Sequence, residues 1–158
     1  MCIIPASKFS IAGYYCIAGS ATPTQFTAPP GFYTLSGAYQ ATPCAAGTYN
    51  QQLGQSACTA CPAGFVCTNQ STIYYTICPP GFVCPTGSAV PTPCPAGTYS
   101  TAINLQNVSA CTPCPPTMYC ATAGLTVVTG ACSGACVYSI FLWFRIFLVD
   151  TLFLRSST

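Results

Sequence analysis

A seven-residue phrase bounded by cysteines recurs along the chain and limits the folds open to it. Residues 61–67 read CPAGFVC, residues 78–84 read CPPGFVC, and residues 114–120 read CPPTMYC. Proline fixes φ and glycine permits a tight return of the backbone, so each phrase predicts a small closed turn. The aromatic side chain inside the turn can pack on a disulfide that closes it.

These phrases belong to a longer repeat. Residues 93–100 (PCPAGTYS) repeat residues 43–50 (PCAAGTYN), fifty positions earlier, and residues 111–115 (CTPCP) repeat residues 58–62 (CTACP). Repeats that contact mainly their neighbours form elongated arrays. We therefore predict a small disulfide-rich fold of short strands and irregular segments, with little helix before residue 137. The predicted units are a degenerate repeat at 1–43, full repeats at 44–93 and 94–136, and a hydrophobic tail at 137–158.

The cysteines number fourteen, which allows full pairing. Where one unit has Cys78 and Cys84, the degenerate unit has Ala28 and Thr34, so both halves of one bridge are missing together. Closing a loop of seven residues removes about 2.4 kcal/mol of unfolded-chain entropy, and a loop of fifteen about 3 kcal/mol, so local bridges can replace a large core. The proposed pairs join neighbours: Cys2–Cys16, Cys44–Cys58, Cys61–Cys67, Cys78–Cys84, Cys94–Cys111, Cys114–Cys120 and Cys132–Cys136.

Charged side chains are almost absent, and this excludes several classes of function. The chain has three basic residues, one acidic residue and no histidine. General acid–base catalysis and an activated cysteine both need a titratable partner, so we expect no enzyme, no cofactor and no small-molecule substrate. Three basic residues make no phosphate-binding patch, which argues against nucleic acid. The Cys-x2-Cys spacings at 58–61 and 111–114 would suit zinc, but the tandem turns favour disulfides and no metal.

A neutral surface with ten tyrosines and nine phenylalanines needs sugars or neighbouring subunits to cover it. Both possibilities, like the disulfides, predict an extracellular protein, secreted or at the cell surface. No signal peptide is visible at residues 1–5, so we expect a piece of something longer. Sequons at Asn69 and Asn107 and threonines followed by proline predict glycosylation. The candidate O-linked threonines are Thr22, Thr42, Thr92 and Thr112.

The phrases at 61–67, 94–100 and 111–115 resemble the ephrin-receptor-like cysteine-rich repeat. The spacing from Cys44 to Cys58 is also similar to the first module of tumour necrosis factor receptor ectodomains. The resemblance covers residues 44–136 well and 12–43 weakly. It implies an extracellular, modular β-rich fold without an activity of its own. Arrays of such repeats are typical of large surface proteins of ciliates, algae and other protists.

The tail has a different composition, with an apolar run over residues 137–154 that contains Arg145 and Asp150. Its eighteen residues are close to the length of a membrane-spanning helix, although the two charges oppose that reading. Alternating apolar residues, from Ile140 to Leu148, instead favour a strand that a second subunit covers. A non-native end is the third reading.

These observations favour a structural subunit of an extracellular glycosylated filament or surface coat, such as a flagellar hair, that polymerises with itself. The alternative is a membrane-anchored ectodomain that binds a protein or glycan ligand. A soluble toxin or inhibitor is disfavoured, because no distinctive loop interrupts the repeats.

Overall fold

A computed structural model describes residues 10–131 of the chain. Within this range, all strands pair as two-stranded antiparallel hairpins, and the only helical element is a 3₁₀ turn at Val108–Ala110. The predicted disulfide-rich β fold with little helix is confirmed. The seven hairpins in chain order are hairpin 1 (β1 Tyr14–Tyr15, β2 Phe26–Thr27), hairpin 2 (β3 Phe32–Tyr33, β4 Thr42–Pro43), hairpin 3 (β5 Thr48–Tyr49, β6 Thr59–Ala60), hairpin 4 (β7 Phe65–Val66, β8 Thr76–Ile77), hairpin 5 (β9 Phe82–Val83, β10 Thr92–Pro93), hairpin 6 (β11 Thr98–Tyr99, β12 Thr112–Pro113) and hairpin 7 (β13 Met118–Tyr119, β14 Gly130–Ala131).

A tight turn precedes the first strand of each hairpin, as hairpin 5 illustrates. The amide of Phe82 donates to the carbonyl of Pro79 at 3.3 Å, and Gly81 between them has φ +80°. A positive φ at the third residue is the signature of a type II turn, which explains the Pro-Pro-Gly sequence. Hairpin 7 keeps the closing bond, from Met118 to Pro115 at 2.9 Å, with Thr117 in place of the glycine.

Each hairpin is bonded to the next through its backbone. Between hairpins 4 and 5, Gly64 donates to Cys84 at 2.7 Å, Cys67 donates to Ser88 at 3.0 Å, and Gly87 donates back to Cys61 at 2.8 Å. Equivalent bonds recur along the array, and those between hairpins join sequence neighbours. The hairpins therefore form a quasi-one-dimensional stack, as in a solenoid.

The core is a column of small residues rather than a cluster of large apolar ones. Two positions six residues apart flank the turn of every hairpin, and thirteen of these fourteen side chains are buried, Cys114 being half-exposed. The structure thus buries sulfur where a larger domain would bury leucine or phenylalanine. The pairs, called here the buried column, are Ser10 and Cys16, Ala28 and Thr34, Cys44 and Asn50, Cys61 and Cys67, Cys78 and Cys84, Cys94 and Ser100, and Cys114 and Cys120.

The structural repeat is shorter than the sequence repeat. First strands begin about every 17 residues, at Thr48, Phe65 and Phe82, for example. The fifty-residue sequence repeat thus spans three hairpins. The predicted boundaries at 43/44 and 93/94 fall between hairpins 2 and 3 and between hairpins 5 and 6.

Candidate functional site: the disulfide column and the exposed surface

Two kinds of disulfide close the hairpins. In the short kind, the two cysteines of the buried column are bonded to each other; these are Cys61–Cys67, Cys78–Cys84 and Cys114–Cys120, with Cα–Cα distances of 6.0, 5.9 and 6.0 Å. In the long kind, the first cysteine of the column bonds a cysteine just before the second strand; these are Cys44–Cys58 and Cys94–Cys111, at 5.7 and 5.9 Å. All five distances are ordinary for disulfides. The structure joins these ten cysteines in the pairs proposed from the sequence.

The remaining cysteines lie at the ends of the array. Cys16 is also disulfide-bonded, whereas Cys2, Cys132 and Cys136 lie outside the described residues. No free thiol occurs among the cysteines of residues 10–131. Over the same range there is also no group of three or more side chains suited to holding a metal ion. The two Cys-x2-Cys spacings each bring together halves of two different disulfides.

Hydrogen-bonding side chains fill the column where the second cysteine is replaced. In hairpin 3, the Nδ2 of Asn50 donates to the carbonyl of Phe32 at 2.7 Å, and its Oδ1 accepts from the amide of Gln52 at 3.1 Å. In hairpin 6, Ser100 Oγ accepts from the amide of Ala102 at 3.1 Å. These two hairpins are the ones with long disulfides, so Asn50 and Ser100 tie the turn to the loop by hydrogen bonds.

Hairpin 2 has neither a disulfide in its column nor a hydrogen-bonded side chain at the position of the second cysteine. Ala28 and Thr34 occupy its column and are fully buried, and the Thr34 hydroxyl has no hydrogen-bond partner. A buried hydroxyl without a partner costs free energy. This hairpin is the least secured of the seven.

Aromatic side chains pack partly on the bridges and partly on one another. Phe82 contacts a buried cluster of Val66, Cys78 and Cys84. Tyr75 meets the rings of Tyr49 and Phe65 edge-on, with centroids 5.0 and 4.7 Å apart. The expected packing of an aromatic on a bridge is present in hairpin 5. Other large apolar side chains are open to solvent.

The candidate glycosylation residues all lie on the surface. Asn69 is in the loop of hairpin 4, and Asn107 precedes the 3₁₀ turn in the loop of hairpin 6, where its side chain accepts a hydrogen bond from Ser109. Thr22 is exposed in the loop of hairpin 1. The other three candidates, Thr42, Thr92 and Thr112, each begin the second strand of a hairpin and are also exposed.

Sequence reasoning missed two open recesses at hairpins 2 and 3. Both are bordered by Tyr33 and Leu35; one, of about 300 Å³, continues to Tyr39 and Gln40, and the other, of about 430 Å³, to Pro43 and Ala57. Since no residue between Lys8 and Arg145 is charged, these recesses offer only apolar contact and neutral hydrogen bonds. The lining of the first recess lies within residues 33–42 and that of the second comes from hairpins 2 and 3, and no motif marks either.

Comparison with known families gave a match for one segment of the chain. Residues 31–74 match the family model described as tyrosine-protein kinase ephrin type A/B receptor-like. The matched segment contains hairpins 2 and 3 and the first strand of hairpin 4. The search against curated proteins gave no match.

The match and the disulfides together define a cysteine-rich, ephrin-receptor-like segment within a disulfide-rich repeat. They indicate an extracellular or cell-surface location and a ligand-binding or structural role. The matched part overlaps only some of residues 44–136, where the sequence phrases are clearest. The described part of the chain contains no helix that is long and apolar enough to cross a bilayer. The predictions for residues 137–158 concern residues outside that part.

Proposed function

We propose that this protein is a structural subunit of an extracellular glycosylated filament or surface coat, and that its main partner is a second copy of itself. The observation that carries the proposal is the continuous stack of hairpins, each bonded to the next and five of them closed by a local disulfide. Such a stack grows in one direction by adding repeats and needs no central core.

The exposed surface supports self-association. Tyr74 is 77% exposed, Val90 73%, Leu53 63% and Leu35 62%, on a surface that carries no charge between residues 9 and 144. Exposed apolar side chains without surrounding charges favour association between molecules. The apolar tail at 137–154 would add a further contact between subunits. We assign the chain no catalytic role, cofactor or nucleic-acid partner; the assignment to protist surface or flagellar-hair proteins rests on resemblance alone.

Electron microscopy of the native, undisrupted material tests the proposal. We expect filaments or a coat with a regular subunit repeat, into which the stack of hairpins fits. In recombinant material, Leu53→Ser and Tyr74→Ser should weaken assembly, whereas Gln51→Ser, at an exposed polar neighbour, should not. Monodisperse particles in the native material, together with recombinant protein whose association is unchanged by Leu53→Ser and Tyr74→Ser, would refute self-assembly.

A membrane-anchored ectodomain is the second candidate. The match of residues 31–74 to a receptor-like family and the recesses beside Tyr33 and Leu35, inside that segment, favour it. This candidate predicts native particles that need detergent and a protein or glycan ligand whose binding is lost in Tyr33→Ala.

A further inference from the structure

One exposed position of the hairpin is occupied repeatedly by threonine. In five successive hairpins, the first residue of the second strand is a threonine, and all five side chains are exposed. Their partners on the first strand are tyrosine or valine; Tyr49, for example, lies opposite Thr59. We call this set the threonine row: Thr42, Thr59, Thr76, Thr92 and Thr112.

The fold does not use the hydroxyl groups of the threonine row. Other hydroxyls at repeated positions are bonded to the backbone: Thr48 Oγ1 donates to the carbonyl of Ala45 and Thr98 Oγ1 to that of Pro95, each at 2.7 Å. No hydroxyl of the row makes a hydrogen bond within the described residues. In hairpins 3 and 6, the threonine hydroxyl on the first strand is therefore hydrogen-bonded and the one on the second strand is not.

Strand propensity alone does not require threonine at these positions. Valine and isoleucine fit a short strand equally well. The row lies on a surface without charges, beside exposed apolar residues such as Ile77 and Val90. A free hydroxyl in that setting is a point of attachment for a neutral, strongly hydrated group, which would solvate the surface as charges do in other proteins.

We propose that the threonine row carries O-linked neutral sugars. In the attachment step, threonine Oγ1 attacks C1 of a phosphate-activated sugar supplied to a glycosyltransferase, the bond from C1 to phosphate oxygen breaks, and the hydroxyl proton passes to a base of that enzyme. The inference rests on the extracellular location in the proposed function. The proposal adds two glycosylation sites, Thr59 and Thr76, which precede Ala60 and Ile77 rather than proline. It makes no claim for Thr22, which lies outside the row.

Site-resolved mass spectrometry of glycopeptides from the native protein tests the proposal. Electron-transfer fragmentation should place hexose-type mass additions on all five threonines of the row, and Thr48 and Thr98 should be unmodified. The proposal is overturned if Thr59 and Thr76 are bare while Thr42 and Thr92 are modified, because proline would then decide the site. It is equally overturned if Thr48 and Thr98 carry as much sugar as the row.

A pair of variants secreted by the native host gives a second readout. Replacing the five row threonines by valine keeps the β-branched shape and removes the acceptor oxygen; it should remove the O-linked mass and lower solubility several-fold. The control Thr48→Val with Thr98→Val should keep that mass, although it loses two internal hydrogen bonds. Unchanged mass in the row variant would contradict the inference. Filaments built from protein without O-linked sugar would refute the glycosylation of the threonine row and leave the filament proposal standing. Sugar on the row in a protein that does not assemble would refute the filament proposal and support the glycosylation.

Discussion

Two glycines of hairpin 5 allow the free-energy contribution of the contact between hairpins to be measured separately from the cost of a left-handed backbone conformation. Gly81 and Gly87 both have φ +80°. A Cβ atom on Gly87 would meet nothing within 4 Å, whereas one on Gly81 would lie 2.4 Å from the carbonyl oxygen of Gly124, in hairpin 7. That is more than half an ångström short of the 3.0 Å below which real Cβ atoms essentially never lie. Alanine at either position is strained, but only alanine at Gly81 must push a backbone aside.

The expected costs follow from these two terms. A left-handed conformation costs a non-glycine residue about 1–2 kcal/mol, which applies to both Gly81→Ala and Gly87→Ala. Overpacking typically costs a further 1–3 kcal/mol, and it applies to Gly81→Ala alone. The free energy of unfolding should therefore differ between the variants by about 1–3 kcal/mol, roughly a 5- to 140-fold change in the equilibrium constant.

Urea unfolding with the disulfides intact, followed by near-ultraviolet circular dichroism, gives this difference. Hydrogen exchange locates it: the Gly124 amide, which donates to the Cys94 carbonyl at 2.8 Å, should lose protection in Gly81→Ala and keep most of it in Gly87→Ala. Equal destabilisation by the two substitutions, or equal protection of Gly124, would refute contact between hairpins two apart in the stack.

Three other perturbations have definite expected outcomes. The double substitution Ala28→Cys with Thr34→Cys should add a fourth bridge of the short kind, visible in a non-reducing peptide map, and stabilise hairpin 2 by about 2 kcal/mol; two persistent free thiols would contradict the equivalence of the hairpins. Thr34→Val should leave the free energy of unfolding in urea unchanged or raise it, because the buried hydroxyl has no partner. Asn50→Ala should lower that free energy by about 1–3 kcal/mol, because the Phe32 carbonyl loses its donor. A loss of stability from Thr34→Val as large as that from Asn50→Ala would contradict both expectations. The stability of residues 10–131 should be flat between about pH 3 and pH 8, since they contain no aspartate, glutamate, histidine, lysine or arginine whose protonation could differ between folded and unfolded states; a cooperative acid transition in circular dichroism would show that another group is linked to folding.

The fold class and the short turns could be predicted from the sequence because their determinants are local. Cys78 and Cys84 are six residues apart with Pro-Pro-Gly between them, and no distant residue is needed to decide what they form. The long bridges at Cys44 and Cys94 follow the same logic of nearest neighbours, which works here because each of these bridges closes a single hairpin.

The seventeen-residue hairpin was not found from the sequence because the buried column requires smallness rather than cysteine. Ser10, Ala28, Asn50 and Ser100 occupy positions where other hairpins have cysteine. Their equivalence is hidden when cysteines alone are aligned. A search for a small residue, a glycine three positions later and another small residue three positions after that would have revealed six of the seven hairpins. The recesses beside Tyr33 could not be found in this way, since one depends on how the loop of hairpin 2 folds and the other on how hairpins 2 and 3 meet.

The distribution of bridges makes hairpin 2 the part of the stack most able to open. Its column lacks both cysteines and contains an unsatisfied hydroxyl, yet its strands and loop supply Tyr33, Leu35 and Tyr39 to the exposed recesses. Segments that bind or rearrange are drawn from the less stable parts of a protein. Hairpin 3 is closed by a disulfide, whereas hairpin 2 has none and borders both recesses. The less constrained hairpin thus lies where a partner would bind under the second candidate function. The amides of residues 36–40 should then exchange faster than those of the matched loop at 86–90 in hairpin 5, which Cys78–Cys84 closes. Equal exchange would mean that hydrogen bonds to hairpins 1 and 3 hold hairpin 2 as firmly as a disulfide does.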